Sequence, residues 1–340
     1  MPARRALGLA RALVSRASVL REIRDIVRSN RQVIAGPWLG EMGFEVLYWV
    51  PFVRWVTVAL GLNPARVTAV SRGGPEGWYR DVAAAYVDVF DVMPADRFRE
   101  ANAERRRALG EQKQIRSTEI DDRIVGEVRR RNRIDTALVL HPSLMFKLVR
   151  HYWWKHTSAN WVERHALRLR LPKVQPPAGS GVPQGSYVAA KFYDNDCFRP
   201  SDADRRTISG LVESVSTTCR VISLSVDLSV DDHRSEPGPR AAATVAGLQD
   251  ARHNLDLQTA IVANASVFVG TYGGFSYLAP LCGVPGVALF TEAGGFDPAH
   301  LEICQRTAAQ LGTPPLRLRD LRWTATADLV ADVQRLAAAT

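Results

Sequence analysis

Residues 265–290 read Ala265-Ser266-Val267-Phe268-Val269-Gly270-Thr271-Tyr272-Gly273-Gly274-Phe275-Ser276-Tyr277-Leu278-Ala279-Pro280-Leu281-Cys282-Gly283-Val284-Pro285-Gly286-Val287-Ala288-Leu289-Phe290. An apolar, β-branched run passes through glycines into a short helical stretch, then a Gly-Val-Pro break and a second apolar run. That is strand, turn, helix and strand, the repeating unit of a parallel α/β sheet. A strand that enters a helix through glycines leaves the first-turn N–H groups without partners, and the helix dipole favours an anion beside them. Gly273 and Gly274 let a phosphate approach the backbone with no Cβ between.

Working outward, apolar runs at Gln32–Ala35, Arg66–Ser71, Tyr86–Val92 and Thr136–His141 predict buried parallel strands in the first half. Tyr187–Tyr193, Cys219–Ser225, Ser266–Val269 and Gly286–Phe290 predict strands in the second. Segments of helical character lie between them, and Val46–Val58 reads as either a buried helix or a buried strand. The run Leu171-Pro172-Lys173-Val174-Gln175-Pro176-Pro177, continuing through Gly185, is the clearest linker signal. The chain therefore divides into an N-terminal helix over 1–30, an α/β domain over 31–171, a linker over 172–185 and a second α/β domain over 186–340. The last forty residues read as loop and amphipathic helix.

Two segments carry a resemblance. Gly274-Phe275-Ser276-Tyr277-Leu278-Ala279, Gly283-Val284-Pro285 and Val287-Ala288-Leu289-Phe290 together resemble the donor-binding segment of heptosyltransferase-type enzymes, which are GT-B glycosyltransferases. In that family the segment runs Asp-Thr-Gly, a Ser-His-Leu-Ala helix start, Gly-x-Pro and a strand. Here Tyr272 stands at the family's Asp and Tyr277 at its His. The second segment is Gly36-Pro37-Trp38-Leu39-Gly40-Glu41-Met42-Gly43-Phe44-Glu45, after the run Val33-Ile34-Ala35. The family carries Met-Gly-Asp after its first strand, with a Pro six residues beyond the acid. Glu45 precedes Pro51 by the same interval, with one extra residue after Gly43.

The resemblance implies an α/β protein of GT-B type, two Rossmann-like doubly wound domains facing each other across a cleft. It implies a glycosyltransferase that moves a sugar from a nucleotide-sugar donor to an acceptor hydroxyl, in glycan or glycoconjugate biosynthesis. Glu45 is the first choice for catalytic base and Glu41 the second. Lys191 or Arg199 corresponds to the basic residue that contacts the donor's phosphates, Lys191 being the stronger candidate and Arg199 otherwise a surface residue on a loop. Thr271, Tyr272, Gly273, Gly274, Phe275, Ser276 and Tyr277 make the rest of the donor site. Glu292, just past an apolar run, is placed to accept hydrogen bonds from ribose hydroxyls. Gly40, Gly43 and His141, each following a predicted strand, are assigned to the acceptor. A carboxylate base with direct displacement inverts the anomeric centre and needs no metal and no cofactor beyond the co-substrate. Asp194-Asn195-Asp196 spells the metal signature of the other main glycosyltransferase fold and forms the alternative, testable with a chelator.

Charge and cysteine usage bound the partners. The formal charge of +9 favours anionic ligands. The acceptor is a glycan, a lipid-linked molecule or a small molecule; no nucleic-acid reader motif is present, so no nucleic acid is expected. Cys197, Cys219, Cys282 and Cys304 show no CxxC spacing, which points to a reducing cytoplasm rather than a zinc or disulfide framework. Over 1–30, Leu9, Leu13, Leu20, Ile23 and Val27 form an apolar stripe, with Arg11, Arg21, Arg24 and Arg28 off it and Arg5 and Arg16 on its apolar side. Such a helix packs on its own domain or on a partner subunit, or lies on the inner face of an anionic membrane. The dense charge of 97–133 reads as a solvated helical face or mobile loop, or else as an acceptor-binding lobe. His151-Tyr152-Trp153-Trp154-Lys155-His156 and Trp161 offer faces for sugars or a cap for the core. The rival readings are a nucleotide-dependent oxidoreductase, which wants a G-x-G-x-x-G turn that Gly40-Glu41-Met42-Gly43 does not supply, and a non-catalytic nucleotide- or polyanion-binding protein.

Overall fold

The structure is a computed structural model that describes residues 16–339 apart from 111, 112, 178, 227, 229–240 and 296. The described chain divides into two compact units. One takes in the residues up to Gly40 and Phe44–Arg168; the other takes in Glu41–Gly43 and the residues from Leu169 onward.

The first unit opens on helix α1 (16–28), which buries Val19, Ile23 and Ile26. The expected stripe, with Leu20 and Val27 beside Ile23, is turned by one residue, and its apolar face is spent on packing. Residues 1–15, with Leu9 and Leu13, lie outside the described residues. Then come β1 (Gln32–Ala35), a π-helical turn over Glu45–Trp49, α2 (Val50–Val58), β2 (Val67–Ser71) and β3 (Ala85–Asp88). After these run α3 (Ala95–Leu109), α4 (Glu119–Arg131), β4 (Ala137–Leu140) and α5 (Pro142–Trp153). The strands form a four-stranded parallel sheet in the order β3-β2-β1-β4. A core of stacked rings includes Trp38, whose centroid lies 6.0 Å from that of Trp49 and 5.8 Å from that of Phe146. The expected strand over Tyr86–Val92 stops at Asp88, because the Asp88 carboxylate accepts the Phe90 N–H at 2.8 Å and starts a helical turn over Val89–Val92. The charged stretch 97–133 is largely α3 and α4. Ile120, Ile124 and Val128 line the buried face of α4, while Glu119, Arg123 and Arg130 stay in water.

The second unit contains β5 (Tyr187–Lys191), α6 (Asp202–Ser216), β6 (Arg220–Ser223), α7 (Asn254–Asn264) and β7 (Val267–Thr271). It continues with α8 (Gly274–Cys282), β8 (Gly286–Phe290), α9 (Pro298–Leu311), β9 (Arg317–Asp320) and α10 (Thr326–Ala338). Its five-stranded parallel sheet has the order β6-β5-β7-β8-β9. Val188, Val267, Val269, Val287 and Leu289 meet Leu211, Val212, Leu329 and Val333 in one buried cluster. The fifth strand, β9, is absent from the sequence reading: Arg317-Leu318-Arg319-Asp320 is half-buried at a sheet edge and carries no apolar run.

Candidate functional site

In each sheet the strand order reverses direction between two neighbours, β1 and β4 in the first and β5 and β7 in the second. Open α/β sheets hold ligands beyond the carboxyl ends of such strands.

In the first unit, β1 ends in a loop pinned on both sides. Gly36 N–H donates to Leu140 at 3.0 Å, Trp38 N–H to Val70 at 2.9 Å, and the Gly36–Pro37 bond is cis. Gln114 accepts from Leu39 N–H at 2.8 Å and donates to the Pro37 carbonyl and Asp121 at 2.9 Å each. Arg72 donates to the Gly40 carbonyl at 2.7 Å. The π-helical turn that follows holds Glu45, which is 1% exposed. One oxygen, Oε1, accepts from the Tyr79 hydroxyl at 2.5 Å and from the Ser71 hydroxyl. Oε2 has no donor among the described residues. Burial pushes the Glu45 carboxyl up to about 7, against the opposing pull of Ser71, Tyr79 and Arg72. Asp88, held by Phe90, Gly74 and Tyr86, is likewise raised by burial to about 6. Such a carboxyl changes protonation state near neutral pH, as a general base must.

His141 caps α5 through Nδ1, which accepts from Ser143 N–H at 3.1 Å, and its Nε2 lies 3.1 Å from Asp121. Both ring nitrogens thus serve the loop network. Burial pushes Asp121 up, but hydrogen bonds from His141, Thr118 and Gln114 outweigh it and hold the carboxylate below its ordinary range. Gln114 and Asp121 were not singled out in the sequence, where they stand in a charged stretch with no motif.

In the second unit, Lys191 ends β5 opposite Gly270 of β7 and is 6% exposed. Its ammonium donates to the Leu224 carbonyl at 2.9 Å and to Gln258 Oε1 at 2.7 Å, and lies 4.3 Å from the centre of the Phe275 ring. β7 runs into Thr271, whose hydroxyl accepts from Tyr193 N–H at 3.0 Å, and Tyr272, whose carbonyl accepts from Asn195 at 2.9 Å. Burial raises the Tyr272 hydroxyl well above its usual range. The Tyr272 ring meets Tyr277 edge-on at 5.6 Å. Gly273 has φ +152°, and a Cβ there would collide with the Tyr193 hydroxyl. Ser276 closes the helix start: Gly273 N–H donates to its Oγ at 3.0 Å, and the Oγ–H donates back to Gly273 O at 2.7 Å. Gly274 and Phe275 occupy the first two positions of α8. A Cβ on Gly274 would fall 2.9 Å from Gly43 N and 2.8 Å from Met42 Sδ, so the Glu41–Gly43 segment packs directly on this turn.

Arg199 is exposed and pairs with Asp196 at 3.0 Å. Glu292 is exposed, and its N–H and that of Thr291 both donate to the Cys197 carbonyl, at 3.0 and 2.9 Å. Lys191, Thr271, Tyr272, Gly273, Gly274, Phe275, Ser276 and Tyr277 thus gather at one sheet edge, joined by Gly43. Glu45, His141 and Gly40 belong to the first unit, Gly40 in the loop that follows β1. Among the described residues no group of three or more His, Cys, Asp or Glu side chains is placed to hold a metal ion, and no helix is long and apolar enough to cross a membrane. The four cysteines are unpaired.

No family model and no curated protein matches this sequence. Solved structures similar to it are glycosyltransferases. The glycosyl transferase family 9 protein from Veillonella parvula is 11% identical at a TM-score of 0.47, over 93% of this chain and 99% of that one. E. coli ADP-heptose lps heptosyltransferase II is 11% identical at 0.46, over 91% and 99%. E. coli heptosyltransferase WaaC with ADP is 13% identical at 0.43, over 90% and 99%.

Proposed function

We propose that the chain is a GT-B glycosyltransferase that transfers a sugar from a nucleotide-sugar donor to an acceptor hydroxyl, with inversion and without a metal. The observation that carries this reading is Glu45: a carboxyl following β1 at the family's spacing from Pro51, raised to about 7 by burial, with Oε2 left without a donor among the described residues. The acceptor O–H gives its proton to Oε2 as its oxygen bonds to the anomeric carbon. The bond from that carbon to the diphosphate breaks on the opposite face, and the nucleoside diphosphate leaves with the electron pair. Glu41 is the alternative base.

The donor's diphosphate lies over Gly273 and Gly274, where the N–H groups of Gly274 and Phe275, at the start of α8, point at it. Lys191 supplies positive charge that counts most as the leaving group gains charge. Phe275, with the Lys191 ammonium over its face, sets the position of that charge. Glu292 receives the ribose. The unpaired thiols fit a reducing cytoplasm.

The test is release of nucleoside diphosphate from a panel of nucleotide sugars in the presence of candidate acceptors. Transfer that Glu45→Gln abolishes, with donor affinity retained, supports the assignment. Full transfer by Glu45→Gln and loss by Glu41→Gln moves the base to Glu41. Loss by neither removes the proposed mechanism.

A further inference from the structure

Two features stand apart from the transferase chemistry: Arg16 on the apolar side of the first helix, and the aromatic and basic run from His151 to His156. The structure brings them together in the first unit. His151 lies in the last turn of α5 and is 3% exposed, yet neither ring nitrogen has a hydrogen-bond partner. Buried polar groups are almost always bonded, so an imidazole with both nitrogens idle needs an explanation.

Its surroundings are cationic. Burial pushes the His151 pKa down to about 4, and Arg16 from α1, Arg150 one residue before it and His156 beyond the helix end add to that in the same direction. The His151 and His156 rings lie 6.2 Å apart. Arg16 makes no ion pair among the described residues, and its buried Nε also lacks a partner. Arg164 and His165 add further basic groups, and Arg16 and Arg164 both act on the His165 ring. Aromatic faces hold the guanidinium groups: Arg16 lies 4.5 Å from the centre of the Trp161 ring and Arg150 5.1 Å from that of Trp154, which is 55% exposed. Lys155, next in the chain, has φ +58°, a left-handed conformation uncommon for a side-chain-bearing residue.

The carbonyls at the end of α5 favour nearby cations and account for Arg150. They leave the idle nitrogens of His151 and the Nε of Arg16 unexplained. An oxyanion answers both, since its several acceptor oxygens take charge-assisted bonds from guanidinium and imidazolium donors together.

We propose that Arg16, Arg150, His151 and His156 form a binding site for a phosphate group, separate from the nucleotide-sugar site. On binding, His151 takes up a proton and donates to the phosphate oxygens. Trp154 and Trp161 flank what the phosphate carries. The group comes from a soluble phosphorylated molecule or from an anionic lipid headgroup; the chemistry at the site is the same.

The test uses the full chain at constant ionic strength. Inorganic phosphate is titrated by calorimetry while the His151 ring resonances are followed, and binding to phosphatidylcholine vesicles with and without phosphatidylglycerol is measured alongside. The expected result is saturable binding that raises the His151 titration midpoint. Arg16→Gln and His151→Phe each weaken it roughly tenfold or more, equivalent to about 1.4 kcal/mol. Should His151→Phe fail to fold, Arg16→Gln and His156→Gln carry the same comparison. Loss of phosphate binding in the variants assigns a soluble ligand. Loss confined to the phosphatidylglycerol vesicles assigns the lipid headgroup, because residues 1–15 are unchanged in every variant. Binding that the variants do not alter, or no binding of either probe, overturns the proposal and leaves the transferase assignment untouched.

Discussion

Replacing Glu45 with Gln tests how its buried environment sets its protonation. The carboxyl is raised from 4.5 to about 7 by burial. A group whose folded pKa is raised holds its proton more tightly in the native state. Its stabilising effect is therefore full below the unfolded value of 4.5 and lost as pH rises through about 7. At about 1.4 kcal/mol for each tenfold change in proton affinity, the rise from 4.5 to about 7 corresponds to about 3 kcal/mol across the window. Glu45→Gln is neutral at every pH, and its amide oxygen still accepts from Ser71 and Tyr79. Burying the amide N–H₂ adds a cost, but that cost does not vary with pH. The stability of the variant relative to the wild type must then rise by about 2–3 kcal/mol between about pH 5 and about pH 8.5. Asp88, also raised, repels the ionised Glu45, so the difference between the two proteins reports Glu45 together with that repulsion. Urea unfolding followed by tryptophan fluorescence measures this in the right unit. Of the eight tryptophans, all but Trp323 lie in the unit that contains Glu45. Parallel pH profiles for variant and wild type would refute the reasoning, because Glu45 would then titrate as an ordinary carboxyl.

Three further substitutions probe the sites. Lys191→Met removes the ammonium that Leu224 and Gln258 hold, and should weaken nucleoside diphosphate binding by roughly tenfold or more, the size of one charged hydrogen bond; calorimetry checks it, and unchanged affinity removes Lys191 from the donor site. Gly273→Ala forces a Cβ onto a residue at φ +152° facing Tyr193. It should destabilise the second unit by about 1–3 kcal/mol in denaturant unfolding, and equal stability would mean the turn relaxes freely. Gln114→Ala strips partners from Leu39 N–H and the Pro37 carbonyl, costing about 1–3 kcal/mol for each group left bare. Faster hydrogen exchange at Leu39 is the readout, and unchanged protection there would show that the loop does not depend on Gln114.

The sheet strands were legible wherever burial on both faces left a continuous apolar run, as in Val33-Ile34-Ala35 and Val287-Ala288-Leu289. The same continuity hid the state of Val46–Val58, because a segment buried all round, from Val46 to Arg54, shows neither a period of two nor one of 3.6. Edge strand β9 was hidden for the opposite reason, being half in water. Ser71 and Tyr79, which hold Glu45, could not be found by spacing. Their meeting with it depends on β2 lying beside β1 and on the turn over Glu76–Tyr79. Packing of Glu41–Gly43 on Gly274 is a contact between segments more than two hundred residues apart, and nothing local in either segment announces it.

The most direct test of the transferase assignment is a thermal-shift screen with UDP, GDP, dTDP, ADP and CMP, each with and without a chelator. A ligand at about a hundred times its Kd adds roughly 2.7 kcal/mol, which moves the melting point of the unit that binds it by several degrees. The expected result is an upward shift with one nucleotide class, unchanged by chelator and cut by about half or more in Lys191→Met. No shift with any nucleotide, or a shift that the chelator abolishes, would contradict it; the second result would direct attention to Asp194 and Asp196.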